Sequence, residues 1–154
     1  NKVFNSAQIP GEIIDTLMVN TDVLAANPDF GKALVGAWYE IMATMSDAGQ
    51  AGIAARTAMG SASGTDLAGY ESQLASTKMF YSAAKAVEFT KSAALKTTMK
   101  NVAEFSFAHG LLGEGAPDAG FIGIETPAGV FGNSGNIKFR FDPSYMQMAA
   151  DGKL

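Results

Sequence analysis

The residues that could support catalysis are few and scattered. His109 is the only histidine of the chain. It stands beside Gly110 at the predicted end of a helix, where an imidazole more often caps the helix than reacts. A Ser–His–Asp triad is formally possible, but no G-x-S-x-G nucleophile elbow occurs. Neither a second histidine nor a cysteine is present to complete a zinc site. The sequence therefore predicts neither a catalytic centre nor a metal site, and no cofactor.

Two further groups could suggest chemistry, and a simpler interpretation is favoured for both. The glycines of Gly110–Gly115 suggest a phosphate-binding loop, but the lysine and the strand-to-helix context of a P-loop are missing. We interpret them as a loop that follows a helix. Glu12 and Asp15 could form an acid/base pair. On a strand they would point to opposite faces, so we interpret Asp15 as a solvated carboxylate.

Composition excludes several classes of function. The chain has 154 residues, 47% hydrophobic and 17% charged, which is typical of a globular protein with one core. A net charge of −4 argues against nucleic acid as a partner. The absence of cysteine excludes disulfides without identifying a compartment. No apolar run approaches the about 18 residues that span a bilayer. We expect a trimmed chain or a fragment, because neither an initiator methionine nor a signal peptide is recognisable at Asn1.

A buried strand followed by a capped helix is predicted near the start of the chain. The stretch Gln8–Asn20 is rich in branched apolar residues and is predicted to be a largely buried strand. Asn27 suits an N-cap, Pro28 the first helical position, and Asp29 the positive end of the helix dipole. A strand that leads into a capped helix is typical of an α/β domain.

The helix after this cap, Gly31–Met45, carries a full apolar stripe. Its members are Leu34, Ala37, Trp38, Ile41, Met42 and Met45. Trp38, the only tryptophan, is predicted to be a core residue rather than a ligand-stacking one, because it lies within the stripe. The expected core comprises Trp38, Leu34, Ile41, Phe105 and Val102.

The rest of the chain predicts short helices followed by strands. The expected helices are Ala51–Met59, one starting at Thr65-Asp66, Ala83–Thr90 after Ser82, Ala93–His109 after Ser92, and a terminal one from Asp142–Ser144 to Ala150. The expected strands are Phe121–Glu125 and Asn136–Phe141, joined through a Gly132–Gly135 turn as an antiparallel hairpin or a loose β-arm. The predicted class is α/β, with helix outweighing strand.

Five segments in a fixed order give the chain a family resemblance. They are IPGEIIDTLMVNT (9–21), NPDFGKALVGAWYE (27–40), GTDLAGYESQL (64–74), FSFAHGLLGEG (105–115) and FDPSYMQMAADGKL (141–154). Together they resemble the C-terminal part of a periplasmic solute-binding protein of an ABC transporter. The group is the nitrate/sulfonate/taurine-type family, especially its urea or amide receptors. None of the segments is a catalytic fingerprint, so the resemblance rests on their number and order.

The resemblance implies a fold, a site and partners. The fold would be the C-terminal portion of a two-lobed type II periplasmic-binding-protein fold. Residues 1–24 would be an inter-lobe crossing strand and hinge, 25–119 the helical part of the first lobe, and 120–154 its C-terminal strands and helix. Ligand contacts are expected from Gln8, Pro10 and Glu12, where the family's cleft opens. The solute would be small and polar, the partner an ABC permease, and the location periplasmic, or extracellular on a lipid anchor.

Alternatives from other classes remain open. One is an enzyme on the same fold, related to pyrimidine-precursor synthases, which would need a reactive centre beyond His109. Another is a helical interaction module. For Glu12, the alternative is a solvated carboxylate at a turn. The sheet built on Gln8–Asn20 is also expected to pair with a second copy, to swap elements with it or to bind a missing N-terminal fragment, because an uncovered strand edge invites pairing.

Overall fold

The computed structural model describes residues 3–9 and 11–154. It combines 53% helix with one three-stranded sheet, which confirms a mixed α/β class in which helix outweighs strand. The chain divides into two compact units. The helical unit contains the residues up to Lys85 together with Tyr145–Leu154, and the sheet unit contains Ala86–Ser144.

The elements follow one another as helices, then strands, then a last helix. A 3-10 turn at Ser6–Gln8 precedes α1 (Thr21–Ala26), α2 (Pro28–Ser46), α3 (Gln50–Ala62), α4 (Leu67–Ala75), α5 (Ala83–Thr90) and α6 (Ala93–Ala108). The strands are β1 (Gly123–Thr126), β2 (Gly129–Phe131) and β3 (Ile137–Arg140), and α7 (Ser144–Ala150) closes the chain. The helices predicted from capping residues are all present.

Side-chain caps explain where three of these helices begin. Oδ1 of Asn27 accepts the Phe30 N–H at 3.3 Å at the start of α2. Oδ1 of Asp66 accepts from Gly69 at 2.8 Å at α4, and Oγ of Ser92 accepts from Leu95 at 3.3 Å at α6. Each bond satisfies an N–H that the first helical turn leaves without a partner. The predicted helix starts are confirmed because capping is decided within a few residues of chain.

The predicted buried strand over Gln8–Asn20 is wrong in this structure. Its described residues carry a 3-10 turn, a second turn at 11–12 and then a segment, 14–20, that is neither helix nor strand. Ile13, Leu17 and Met18 are 68%, 55% and 69% exposed. A strand requires the N–H and C=O groups of a neighbouring strand, and no described part of the chain offers one here. Apolar composition alone therefore did not decide the structure.

The apolar stripe of α2 is only partly covered. Met42 and Met45 are buried in the half of α2 that precedes α3. Trp38 is 45% exposed and Ile41 44% exposed, so their predicted core positions are wrong, and Leu34 is half-buried. Periodicity shows which residues share a helix face, whereas burial also requires an element that covers that face. Here the neighbouring elements cover only part of the stripe.

On α6 the two residues predicted to lie in the core are not buried. Leu95 is fully buried, with Thr98 and Ala103 also inside, whereas Val102 and Phe105 are exposed. The core predictions for Val102 and Phe105 are therefore wrong. Helix α6 packs on β1 and β2. The position of the sheet, which apolar periodicity does not specify, therefore decides which face of α6 is buried.

The sheet has β1 at its centre. Strand β2 pairs with it antiparallel through a two-residue turn that joins Thr126 to Gly129, and β3 pairs with it parallel on the other side. Both predicted strands exist, but their predicted antiparallel hairpin is wrong, because β2 intervenes and the chain reverses twice between them. The Gly132–Gly135 turn is confirmed, and so is the alternation of half-buried and exposed residues along β3.

Candidate functional site

The predicted ligand contacts lie on two consecutive turns before the irregular segment 14–20. Gln8 ends the 3-10 turn, is exposed, and its Oε1 accepts the Asn5 N–H at 3.0 Å. The Glu12 N–H donates to the Ile9 carbonyl at 3.2 Å, and the Glu12 side chain is exposed. Pro10 lies outside the described residues. The structure thus places Gln8 and Glu12 on one short surface loop.

On this loop, the Glu12 carboxylate is available to accept hydrogen bonds from a ligand. No described residue bonds to the carboxylate of Glu12, so both of its oxygens can accept N–H donors from a ligand. In the second turn, Gly11 has a φ of +87°, and a Cβ at this position would meet nothing within 4 Å. The backbone turn therefore needs glycine for its conformation, while space around it remains open to a bound molecule.

His109 acts as a helix cap. Its N–H donates to the Phe105 carbonyl at the end of α6, its Nδ1 lies 2.9 Å from the same oxygen, and its ring stacks on that of Phe105 with centroids 3.9 Å apart. The glycines after it form turns, with φ of +71° at Gly110 and +84° at Gly113. These contacts agree with the predicted structural roles of His109 and of the glycine loop.

An arginine at the centre of the helical unit was not anticipated from the sequence. Nη1 of Arg56 donates to the carbonyls of Met45 and Asp47 at 2.7 and 2.8 Å, and its Nε donates to Glu71 at 3.0 Å. Its side chain is 13% exposed. Arg56 thereby satisfies carbonyls at the end of α2 and links α3 to α4. A lone arginine in an alanine-rich helix gives no sequence signal for this role.

A cavity at one end of the sheet was also missed. It is open to solvent, measures about 290 Å³ and is lined by Glu125, Thr126, Pro127, Arg140, Phe141, Asp142 and Pro143. Glu125 and Arg140 are register partners on the parallel strands β1 and β3, and their side chains form an ion pair. The parallel pairing creates this site, and the predicted antiparallel hairpin would not have placed these two residues opposite each other.

Perturbed pKa values occur away from both sites. The hydrogen bond and charge of Lys32 lower the pKa of Asp29 on the first turn of α2, and Asp29 raises that of Lys32 in return. Burial raises the pKa of Tyr39. Among the described residues, no group of three or more His, Asp or Glu side chains is arranged to hold a metal ion. The electrostatics therefore single out neither an acid/base pair nor a metal centre in that part of the chain.

Comparisons with known proteins identify no relative of this chain. The chain matches no family model, no curated protein and no solved structure. Within residues 3–9 and 11–154, none of the helices has both the length and the apolar character required to cross a membrane.

Proposed function

We propose that this chain is part of the solute-binding component of an ABC importer, which captures a small polar solute and delivers it to a membrane permease. The solute would belong to the urea/amide, nitrate, sulfonate or taurine class. The chain would supply the C-terminal portion of a two-lobed type II binding fold, with Gln8, Pro10 and Glu12 at the ligand cleft. The location would be periplasmic, or extracellular on a lipid anchor.

The observation that carries the proposal is the unpartnered segment that begins after Glu12. Residues 13–19 make no backbone hydrogen bond to another described residue, although their composition is that of a buried strand. Exposed apolar side chains at Ile13, Leu17 and Met18 are costly in water. Strands from the remainder of a receptor would both cover these side chains and complete the backbone pairing.

The ordered resemblance of five segments supports the same conclusion independently. A receptor of this kind binds its solute between lobes and closes by a hinge motion, without covalent chemistry. The observed roles of His109 as a helix cap and of Gly110–Gly115 as a turn agree with a protein whose task is binding. No observation favours the alternative enzyme on the same fold.

The test is the substitution Glu12→Ala in the receptor as the cell produces it. Removing a charge-assisted hydrogen bond should weaken the binding of an N–H-rich solute by about 1.5–3 kcal/mol. Thermal stability of the unliganded protein should change little, because Glu12 is exposed. Calorimetric titration against urea, short amides, nitrate and taurine identifies the solute and measures the loss of affinity in the variant.

Asp15→Ala is the matched control, since Asp15 is also an exposed carboxylate close to the same loop. It should leave affinity unchanged. Equal losses in both variants would indicate a general charge effect, and an unchanged affinity in Glu12→Ala would return Glu12 to the role of a solvated turn carboxylate. A receptor that binds none of these solutes would contradict the proposed function itself.

A further inference from the structure

The cavity of the sheet unit lies where the topology favours a binding site. Strands β1 and β3 are parallel neighbours, so their carboxyl ends meet at the same edge of the sheet. Glu125 and Arg140 come from these ends, and Phe141 continues the pairing by donating its N–H to the Glu125 carbonyl at 2.9 Å. In open α/β sheets, ligands bind outside the carboxyl ends of the strands. A volume of about 290 Å³ suits a molecule smaller than a typical drug-sized ligand.

One hydrogen bond orients the Arg140 side chain and leaves its two terminal nitrogens available to a ligand. Its Nε donates to Glu125 Oε2, which fixes the direction of the guanidinium. Its two terminal nitrogens have no partner among the described residues. These nitrogens present the planar, forked donors that match an acid group.

Asp142 supplies the opposite charge in the same cavity. One of its oxygens, Oδ1, accepts the Ser144 N–H at 2.8 Å, while no described residue bonds to the other. Pro127, Phe141 and Pro143 line the cavity beside it. An ammonium group could therefore pair with the free oxygen of Asp142.

The balance of charges selects the class of ligand. The lining carries two carboxylates and one guanidinium, so a simple anion would be repelled by Asp142 and a simple cation would leave the Arg140 donors unused. Arg140 and Asp142 are two residues apart, which corresponds to about 7 Å along an extended chain. We propose that this cavity binds a short zwitterion, with its acid group on Arg140 and its ammonium group on Asp142. The site lies wholly within the sheet unit and does not depend on the proposed transport function.

The experiment is a titration of the intact chain with β-alanine, followed by the chemical shifts of its backbone amides. Propionate and propylamine, which each keep one of the two charges, serve as comparison ligands. Saturable shifts should cluster at the amides of Glu125, Thr126 and residues 140–142 and should be strongest for β-alanine. Arg140→Gln and Asp142→Asn should each weaken β-alanine binding by about tenfold. Asparagine at 142 keeps an acceptor for the Ser144 N–H, so this variant should preserve the local fold.

Lys138→Gln is the matched control. It removes the same charge as Arg140→Gln from an exposed position of the same strand but does not alter the cavity lining, so binding should persist. The proposal is overturned if the original chain shows no saturation up to about 10 mM or if propionate or propylamine binds as well as β-alanine. Unchanged affinity in the folded Asp142→Asn variant would overturn it as well. Because Glu12 is not involved, Glu12→Ala should leave this titration unaffected even if the transport proposal fails.

Discussion

The junction of α2, α3 and α4 and the segment 13–20 show opposite relations between sequence and structure. The junction is rich in alanine and glycine and has little obvious core, yet Arg56 and a close approach at Gly52 hold it together. The segment has the composition of a core strand, yet Ile13, Leu17 and Met18 are exposed, and Ile14 and Val19 are only half-buried. The contrast shows that stability comes from groups that find partners, and not from apolar composition alone.

The largest expected effect tests the close approach at Gly52. A Cβ at this position would lie 1.9 Å from the Asp47 carbonyl oxygen and 2.7 Å from its carbon, both backbone atoms that cannot move away cheaply. Gly52→Ala should therefore lower the free energy of unfolding by about 3 kcal/mol, measured by urea denaturation. Gly36→Ala is the control, because its nearest contact would be 3.9 Å away, and it should stabilise α2 by about 0.5–1 kcal/mol. Similar results for the two variants would contradict the role assigned to the junction.

A slightly smaller effect is expected at Arg56. Arg56→Met keeps much of the side-chain volume but leaves the Met45 and Asp47 carbonyls without their donor. The free energy of unfolding should fall by about 2–3 kcal/mol, as judged by chemical denaturation. Glu71→Gln, which perturbs only the partly exposed ion pair, should cost no more than about 1 kcal/mol. If Glu71→Gln were as damaging as Arg56→Met, the ion pair rather than the carbonyl contacts would hold the junction.

The smallest expected effect is in the segment 13–20. The double substitution Leu17→Ser, Met18→Ser should change the stability of this chain by less than about 0.5 kcal/mol, because both side chains are already exposed. In the complete receptor to which we propose that this chain belongs, the same change should be clearly destabilising if other strands cover these residues. Thermal melts of this chain and of the complete receptor, each with and without the double substitution, measure the two effects. A large loss in the isolated chain would show that the segment is already packed there.

The candidate ligand loop could be predicted only in part from the sequence. The sequence left open that Glu12 is a carboxylate at a turn, and Glu12 is indeed exposed in a turn beside Gly11. Whether Gln8 and Glu12 act together depends on groups brought in from elsewhere, which no local pattern specifies. The charged cavity was not anticipated at all, because it exists only once β1 and β3 are paired in parallel and Glu125 faces Arg140.

By itself, the sequence determined the local structure of this protein. Asn27, Asp66 and Ser92 specified where helices begin, and Gly110 where one ends, because caps and left-handed turns depend on atoms only a few residues apart. The tertiary structure alone decided the direction of β3, the exposure of Trp38 and the face that α6 buries. Each of these depends on which distant element lies alongside, and apolar periodicity marks a face that could be buried without identifying what covers it.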